Sequence, residues 1–141
     1  MSAIGRDVVD AQVVDLFAGS GALGLEALSR GAASVVFVER ARASLRALRS
    51  NVDLLDAGAR SRVVEMDVFR FLAVAHERFD IAFADPPYGG DDARRLVEAY
   101  VGKPFANALW LEHPSREALV LPDGARTRRY GDTALTTLTS S

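Results

Sequence analysis

Two hydrophobic patterns alternate along this chain. Short runs of β-branched and aromatic residues predict strands at about 12–17, 34–39, 62–65, 80–84 and 108–112. Between them, apolar residues recur every three or four positions and predict helices at about 21–30, 42–56, 68–76 and 91–101. Two further strands, at about 125–130 and 133–138, close the chain. This order predicts an α/β fold with a mostly parallel sheet, helices on both faces and an antiparallel closing hairpin.

Glycines predict where two of the helices end. Gly31 follows the first helix, and Gly58 follows the long second helix. The second helix is expected to pack through one apolar stripe, which comprises Leu45, Leu48, Val52 and Leu55.

Composition narrows the class of protein. With 141 residues and 49% hydrophobic content, residues 1–141 are expected to form one domain with a sizeable core. No apolar run is long enough to span a bilayer and no leader pattern is visible, so we expect a cytoplasmic protein without membrane contact. The absence of cysteine removes disulfides and thiolate metal sites, and we predict no metal. The formal net charge of −2 leaves any contact with nucleic acid to local groups of arginines.

A glycine-rich turn follows the first predicted strand. Gly19, Gly21 and Gly24 have the G-x-G-x-x-G spacing, which lets a nucleotide-derived cofactor approach the backbone closely. Asp15 precedes the glycines, where a carboxylate would repel a pyrophosphate but accept a hydrogen bond from a ligand ammonium group. Glu39 ends the next strand and suits the ribose hydroxyls of any adenosine ligand. Asp15 therefore argues against a dinucleotide cofactor, whereas Glu39 does not distinguish between adenosine-containing cofactors.

The motif Asp85-Pro86-Pro87-Tyr88 ends the fourth predicted strand. The Asp85 carboxylate and a backbone carbonyl fixed by the Pro-Pro step can both accept hydrogen bonds from one amino group. Tyr88 offers an aromatic face on which a base can stack. The motif therefore indicates a site for an amino group attached to a flat ring.

Four acidic residues lie at or just past the ends of successive predicted strands: Asp15, Glu39, Asp67 and Asp85. In a parallel sheet, ligands bind beyond the carboxyl ends of the strands, where the strand order reverses. We therefore expect these residues to line one edge of the sheet as a single binding rim. Asp67 is also a candidate N-cap of the helix that follows it.

Together these motifs resemble the class I S-adenosylmethionine-dependent methyltransferases. More narrowly, the chain resembles the RsmD-like family, which methylates the exocyclic N2 of a guanine in small-subunit ribosomal RNA. The resemblance is carried by residues 15–32, by Glu39, by Asp85-Pro86-Pro87-Tyr88 and by residues 129–135 of the closing hairpin. It extends from about residue 13 to residue 138.

The resemblance implies a cofactor, a substrate and a set of site residues. The cofactor would be S-adenosyl-L-methionine, and the partner would be ribosomal RNA within the small subunit or its precursor. A monomer is the default expectation, independent of the resemblance. The implied catalytic residues are Asp85, Pro86, Pro87 and Tyr88. The implied cofactor-binding residues are Asp15, Phe17, Ala18, Gly19, Ser20, Gly21, Glu39, Arg40, Asp67, Val68 and Asp85.

Contact with RNA is expected to be incomplete in this sequence. Members of the family usually begin with a basic segment of a few dozen residues, whereas this sequence reaches Asp15 almost at once. Among the residues present, Arg126, Arg128 and Arg129 are candidates for phosphate contact, and we expect them near Arg94 and Arg95.

Three alternative functions stay open. Asp-Pro-Pro-Tyr also occurs in enzymes that methylate amino groups of DNA bases, but those enzymes usually carry a target-recognition domain for which this chain has no room. A nicotinamide-dependent oxidoreductase would need a proton-donating Tyr/Lys or His pair, and none is evident. The chain could also be a cofactor-binding domain that is inactive without the basic segment.

The composition and the remaining residues add little further chemistry. Without cysteine, methylation of a ring carbon through a cysteine nucleophile is excluded. His76 and His113 are interpreted as packing or surface residues, and Trp110 as a core residue.

Overall fold

The computed structural model describes residues 6–140. Within them the strands are β1 (Gln12–Leu16), β2 (Ser34–Glu39), β3 (Ser61–Glu65), β4 (Phe79–Ala84), β5 (Ala106–Pro114), β6 (Arg126–Tyr130) and β7 (Thr133–Thr139). The helices are α1 (Ala22–Ser29), α2 (Arg42–Leu54), α3 (Val68–Val74) and α4 (Asp92–Gly102), with short 3-10 turns at Arg6–Val8 and Gly58–Arg60. Every strand and helix predicted from the pattern is present within a few residues of its expected bounds.

All seven of these strands join one sheet, in the order β3-β2-β1-β4-β5-β7-β6. The pairs β1/β2, β1/β4, β2/β3 and β4/β5 are parallel, whereas β7 runs antiparallel to both β5 and β6. The mostly parallel sheet and the antiparallel closing hairpin are therefore confirmed. The chain proceeds outward from β1 to β3 and then returns to β4, so the strand order reverses between β1 and β4. Ligands bind at that point in sheets of this kind.

Helices cover both faces of the sheet. On one face, α1 and α2 pack over a core that contains Leu28, Leu48, Phe37 and Phe83. On the other face, α3 and α4 pack over a second core that contains Phe71, Leu96, Leu109 and Leu111. Burial of each such side chain stabilises the fold by about 1.5–3 kcal/mol. No helix formed by residues 6–140 is long and apolar enough to cross a membrane.

The ends of the helices confirm one glycine signal and correct the other. Gly31 adopts φ +104° and closes α1, as its position predicts. α2, however, ends at Leu54, before Gly58, because Asp56 turns into the left-handed region at φ +52°. The predicted fourth member of the apolar stripe is wrong, since Leu55 is 64% exposed and the buried side chain beyond the turn is that of Ala57.

The pairing of β5, β7 and β6 assigns their side chains to faces, because residues opposite each other across antiparallel strands project to the same side. Trp110 pairs with Thr137, which pairs with Arg126, and Leu135 pairs with Arg128. Arg126 and Arg128 thus share the face of Trp110, which packs on the α1/α2 core. Because α4 covers the opposite face, the predicted grouping of these two arginines with Arg94 and Arg95 is wrong.

Candidate cofactor and catalytic site

The turn after β1 has a fixed and unusual shape. Phe17 adopts φ +58°, a conformation that costs a bulky residue about 1–3 kcal/mol, and Gly19 and Gly21 continue the turn at φ +59° and +86°. The backbone N–H of Ala18 donates to the carbonyl of Val38 at 3.1 Å, which fastens the turn to β2. The strained backbone directs the Phe17 ring against Phe69, with ring centroids 6.1 Å apart.

Gly24 lets α1 lie directly on the sheet. A Cβ atom at this position would stand 2.4 Å from Cε1 of Phe37 and 2.9 Å from Cγ1 of Val35. The third glycine of the motif therefore meets a packing requirement of the helix, while the first two shape the turn.

Asp15 lies beneath the turn. Its side chain is 2% exposed, and its Oδ2 atom accepts a hydrogen bond from the backbone N–H of Gly24 at 3.0 Å. Burial raises the pKa of Asp15 to about 8; the bond from Gly24 opposes this shift, and the nearby charges of Asp85 and Glu39 add to it. Asp15 therefore anchors the start of α1 and is electrostatically coupled to the two acids at the neighbouring strand ends.

Glu39 ties the glycine turn to the start of α2. Its Oε1 atom accepts from the backbone N–H of Gly19 at 2.8 Å. Its Oε2 atom accepts from the N–H groups of Arg40 and Ala41 at 2.9 and 2.8 Å. A carboxylate has about four acceptor positions, so roughly one remains for a ligand.

Asp67 caps α3. Its Oδ2 atom accepts from the backbone N–H of Arg70 at 3.1 Å, which confirms the capping interpretation. Its Oδ1 atom lies 3.3 Å from Nη1 of Arg40, and this ion pair connects the residue after β2 with the residue before α3.

A cavity of about 350 Å³ lies at this edge of the sheet. Its wall contains six of the predicted cofactor residues, namely Phe17, Glu39, Arg40, Asp67, Val68 and Asp85. Five others are not part of the wall: Asp15, Ala18, Gly19, Ser20 and Gly21. The wall also includes Ser44 and Asp92, which sequence reasoning missed. Both lie in the first turn of a helix that follows a predicted site residue, and that position could have revealed them.

The Asp-Pro-Pro-Tyr motif adjoins the cavity. Asp85 and Pro87 belong to its wall, whereas Pro86 is buried and Tyr88 is 56% exposed outside it. Burial raises the pKa of Asp85 above its ordinary value, and repulsion from the carboxylate of Glu112 raises it further. Glu112 is a third residue that the sequence pattern did not single out, and its position becomes evident only from the strand register.

Of the three other residues considered from sequence, two pack against neighbouring side chains and one lies at the surface. His113 is buried, with Nε2 2.7 Å from Oγ1 of Thr136, and His76 is exposed. Trp110 is half-buried and packs edge-on against Phe83, with centroids 5.8 Å apart.

Solved structures share this arrangement of strands and helices. A conserved hypothetical protein of Streptococcus pyogenes matches with a TM-score of 0.83 and 29% identity, over 93% of this chain and 86% of that chain. A SAM-dependent methyltransferase from Agrobacterium tumefaciens matches with a TM-score of 0.71 and 18% identity, over 95% of this chain and 58% of that chain. The protein thus has the class I methyltransferase fold that its sequence predicts.

The chain belongs to the family described as "Conserved hypothetical protein 95", whose pattern matches residues 1–138. It is also 49% identical over 130 residues to the ribosomal RNA small subunit methyltransferase D of Escherichia coli, and this alignment covers 79% of the chain. The predicted resemblance to the RsmD-like family is therefore confirmed. The chain spans 65% of the length of that relative.

Proposed function

We propose that this chain transfers a methyl group from S-adenosyl-L-methionine to the exocyclic N2 amine of a guanine in small-subunit ribosomal RNA. The observation that carries the proposal is the contact between the cavity and the Asp-Pro-Pro-Tyr motif, because Asp85 and Pro87 belong to its wall. The name of the Escherichia coli relative supports ribosomal RNA as the substrate class, and the name of the SAM-dependent methyltransferase from Agrobacterium tumefaciens supports S-adenosyl-L-methionine as the cofactor. The choice of a guanine N2 amine, a cytoplasmic location and a monomer stay predictions.

The volume of the cavity and the hydrogen-bond acceptors in its wall suit an adenosine-containing ligand. Its wall combines the apolar side chains of Phe17 and Met66 with the acceptors of Glu39 and Asp67. The open acceptor position of Glu39 would hold a ribose hydroxyl, while Asp67 would accept from the adenine amino group and the Val68 N–H would meet the ring. The ligand supplies an electrophilic methyl group when it is bound.

The acceptors at Asp85 and Pro86 would activate the target amine. The lone pair of an exocyclic amine is delocalised into the ring, so the amine is a poor nucleophile. Hydrogen bonds from its two N–H groups to the Asp85 carboxylate and the Pro86 carbonyl would draw it toward tetrahedral geometry. They would also stabilise the positive charge that develops during methyl transfer. Tyr88, which is exposed beside this position, would stack on the base.

The test is the Asp85→Asn variant. Loss of the negative charge at the developing cation should lower kcat by about 100- to 1,000-fold. Cofactor affinity, measured by calorimetry, should stay within about threefold, because charge stabilisation at the amine acts mainly in the transition state. Methyl transfer to unmethylated small ribosomal subunits is the activity readout.

The matched control is Asp123→Asn, an identical change at an exposed loop residue between β5 and β6. It should leave both quantities unchanged. If Asp85→Asn retained its kcat, or lost cofactor binding together with activity, the catalytic assignment of Asp85 would be wrong.

A further inference from the structure

In the register of β4 and β5, Glu112 occupies the position next to Asp85 on the neighbouring strand. The last register pair of the parallel strands β4 and β5 is Ala84 opposite Leu111, so the next residues along the two strands, Asp85 and Glu112, are lateral neighbours. Neighbouring strands are about 4.8 Å apart. Ala84 and Leu111 both point into the α3/α4 core, and successive residues point to opposite faces. Asp85 and Glu112 therefore project together to the other face.

Within residues 7–140, no ion pair compensates these two like charges. Among the side chains that the structure describes, none forms a salt bridge with the carboxylate of Glu112, whose side chain is half-buried. Repulsion between the two carboxylates contributes to raising the pKa of Asp85. Two adjacent carboxylates repel each other, and a ligand that supplies hydrogen-bond donors to both of them offsets this repulsion.

A guanine that presents its N2 amine to Asp85 supplies such donors. Its N1–H stands next to the amine on the same edge of the ring. Adenine and cytosine also carry an exocyclic amine, but the adjacent ring nitrogen there is a lone-pair acceptor. A second carboxylate would attract the N1–H of guanine and repel the corresponding nitrogen of the other two bases.

We propose that Glu112 accepts the N1–H of the target guanine and thereby selects guanine over other bases that carry an amine. This inference rests on the proposed function and adds a specificity-determining residue to that site. Asp85 and the Pro86 carbonyl would hold the amine that receives the methyl group, and Glu112 would accept a hydrogen bond from the adjacent N1–H.

Two RNA oligonucleotides that differ only at the target base provide the test. One contains guanine and the other 2-aminopurine, which has the same exocyclic amine but an acceptor in place of N1–H. A hydrogen bond to a charged group contributes about 10- to 100-fold in a rate or an affinity, so wild-type kcat/KM should favour guanine by at least that factor. In Glu112→Gln, whose amide can donate as well as accept, the ratio of the two kcat/KM values should fall to within about threefold of one.

Controls separate this inference from a loss of folding and from the proposed function itself. Glu98→Gln removes an exposed carboxylate of α4 that pairs with Arg94, and it should keep the wild-type ratio. Because the ratio compares two substrates of one enzyme, partial unfolding would not change it. A Glu112→Gln enzyme that still prefers guanine as strongly as wild type would overturn the inference. Wild-type product methylated at an atom other than N2 would overturn the proposed function and the inference with it.

Discussion

Asp15 shows how the type of a residue can be predicted when its surroundings cannot. The sequence placed an acid at the end of β1 and predicted contact with a cationic ligand. In the structure this side chain is buried below the glycine turn, where it binds the N–H of Gly24. How deeply a side chain at the end of a strand is buried depends on how closely the following helix packs against the sheet. Here that distance is set by Gly24, which no pattern of hydrophobic positions reveals.

The raised pKa of Asp15 has a consequence for stability. Its pKa is about 8 in the folded protein against an ordinary value of 3.8, so between these values the folded state holds a proton that the unfolded chain has released. The free energy of unfolding therefore falls as pH rises through this window, by up to about 1.4 kcal/mol per pH unit from this group alone. The stabilisation is complete below the ordinary pKa of 3.8 and is lost above the folded-state pKa of about 8.

Asp15→Asn should remove this contribution to the pH dependence. The amide oxygen still accepts from the N–H of Gly24, but the side chain cannot ionise. We expect the variant to gain stability over wild type progressively from about pH 5 to about pH 8, as measured by urea unfolding at several pH values. Asp123→Asn, at an exposed loop position, serves as the control. A stability difference between Asp15→Asn and wild type that is the same at every pH would mean that Asp15 is already ionised in the folded protein.

Gly24 governs the packing between α1 and the sheet, and its replacement tests that packing. In Gly24→Ala the added methyl group would collide with Phe37 and Val35, which are themselves buried on β2. We expect the free energy of unfolding to fall by about 1–3 kcal/mol as α1 moves outward. Denaturant titration measures this change.

Gly102→Ala is the matched comparison, because a methyl group there meets nothing within 4 Å. Replacing a helical glycine without a clash usually stabilises by about 0.4–1 kcal/mol. Equal effects of the two substitutions would show that α1 does not lie as close to β2 as described.

At the level of strands and helices, the sequence predicts well which elements form. It predicts less well where a helix ends and which strands lie side by side. Hydrophobic period and glycine position predicted the strands and helices, since both are local properties. The end of α2 was missed because Ala57, rather than Leu55, occupies the core. The proximity of Glu112 to Asp85 could not be predicted either, because the two residues are distant in sequence and only the register of β4 and β5 makes them neighbours.

For the molecule as a whole, cofactor binding should appear as added stability. A ligand that binds only the folded state at 100 times its Kd adds about 2.7 kcal/mol to the free energy of unfolding. For a chain of 141 residues this corresponds to a rise in Tm on the order of 5–10 °C. We expect S-adenosyl-L-methionine and its demethylated product to raise Tm and NAD to leave it unchanged, in thermal unfolding followed by circular dichroism. A rise with NAD alone would support the oxidoreductase alternative.

The outer strand β6 has a consequence for how copies of the chain meet one another. Within residues 6–140 it is the last strand of the sheet, and one row of its backbone N–H and C=O groups has no strand partner there. Such a row can template pairing with a second molecule. Exposed Arg126, Arg128 and Arg129 occupy this strand. Two such strands brought together would place like charges side by side. With a formal net charge of only −2, the molecule has little overall repulsion, so these arginines protect it locally against joining edge to edge into aggregates.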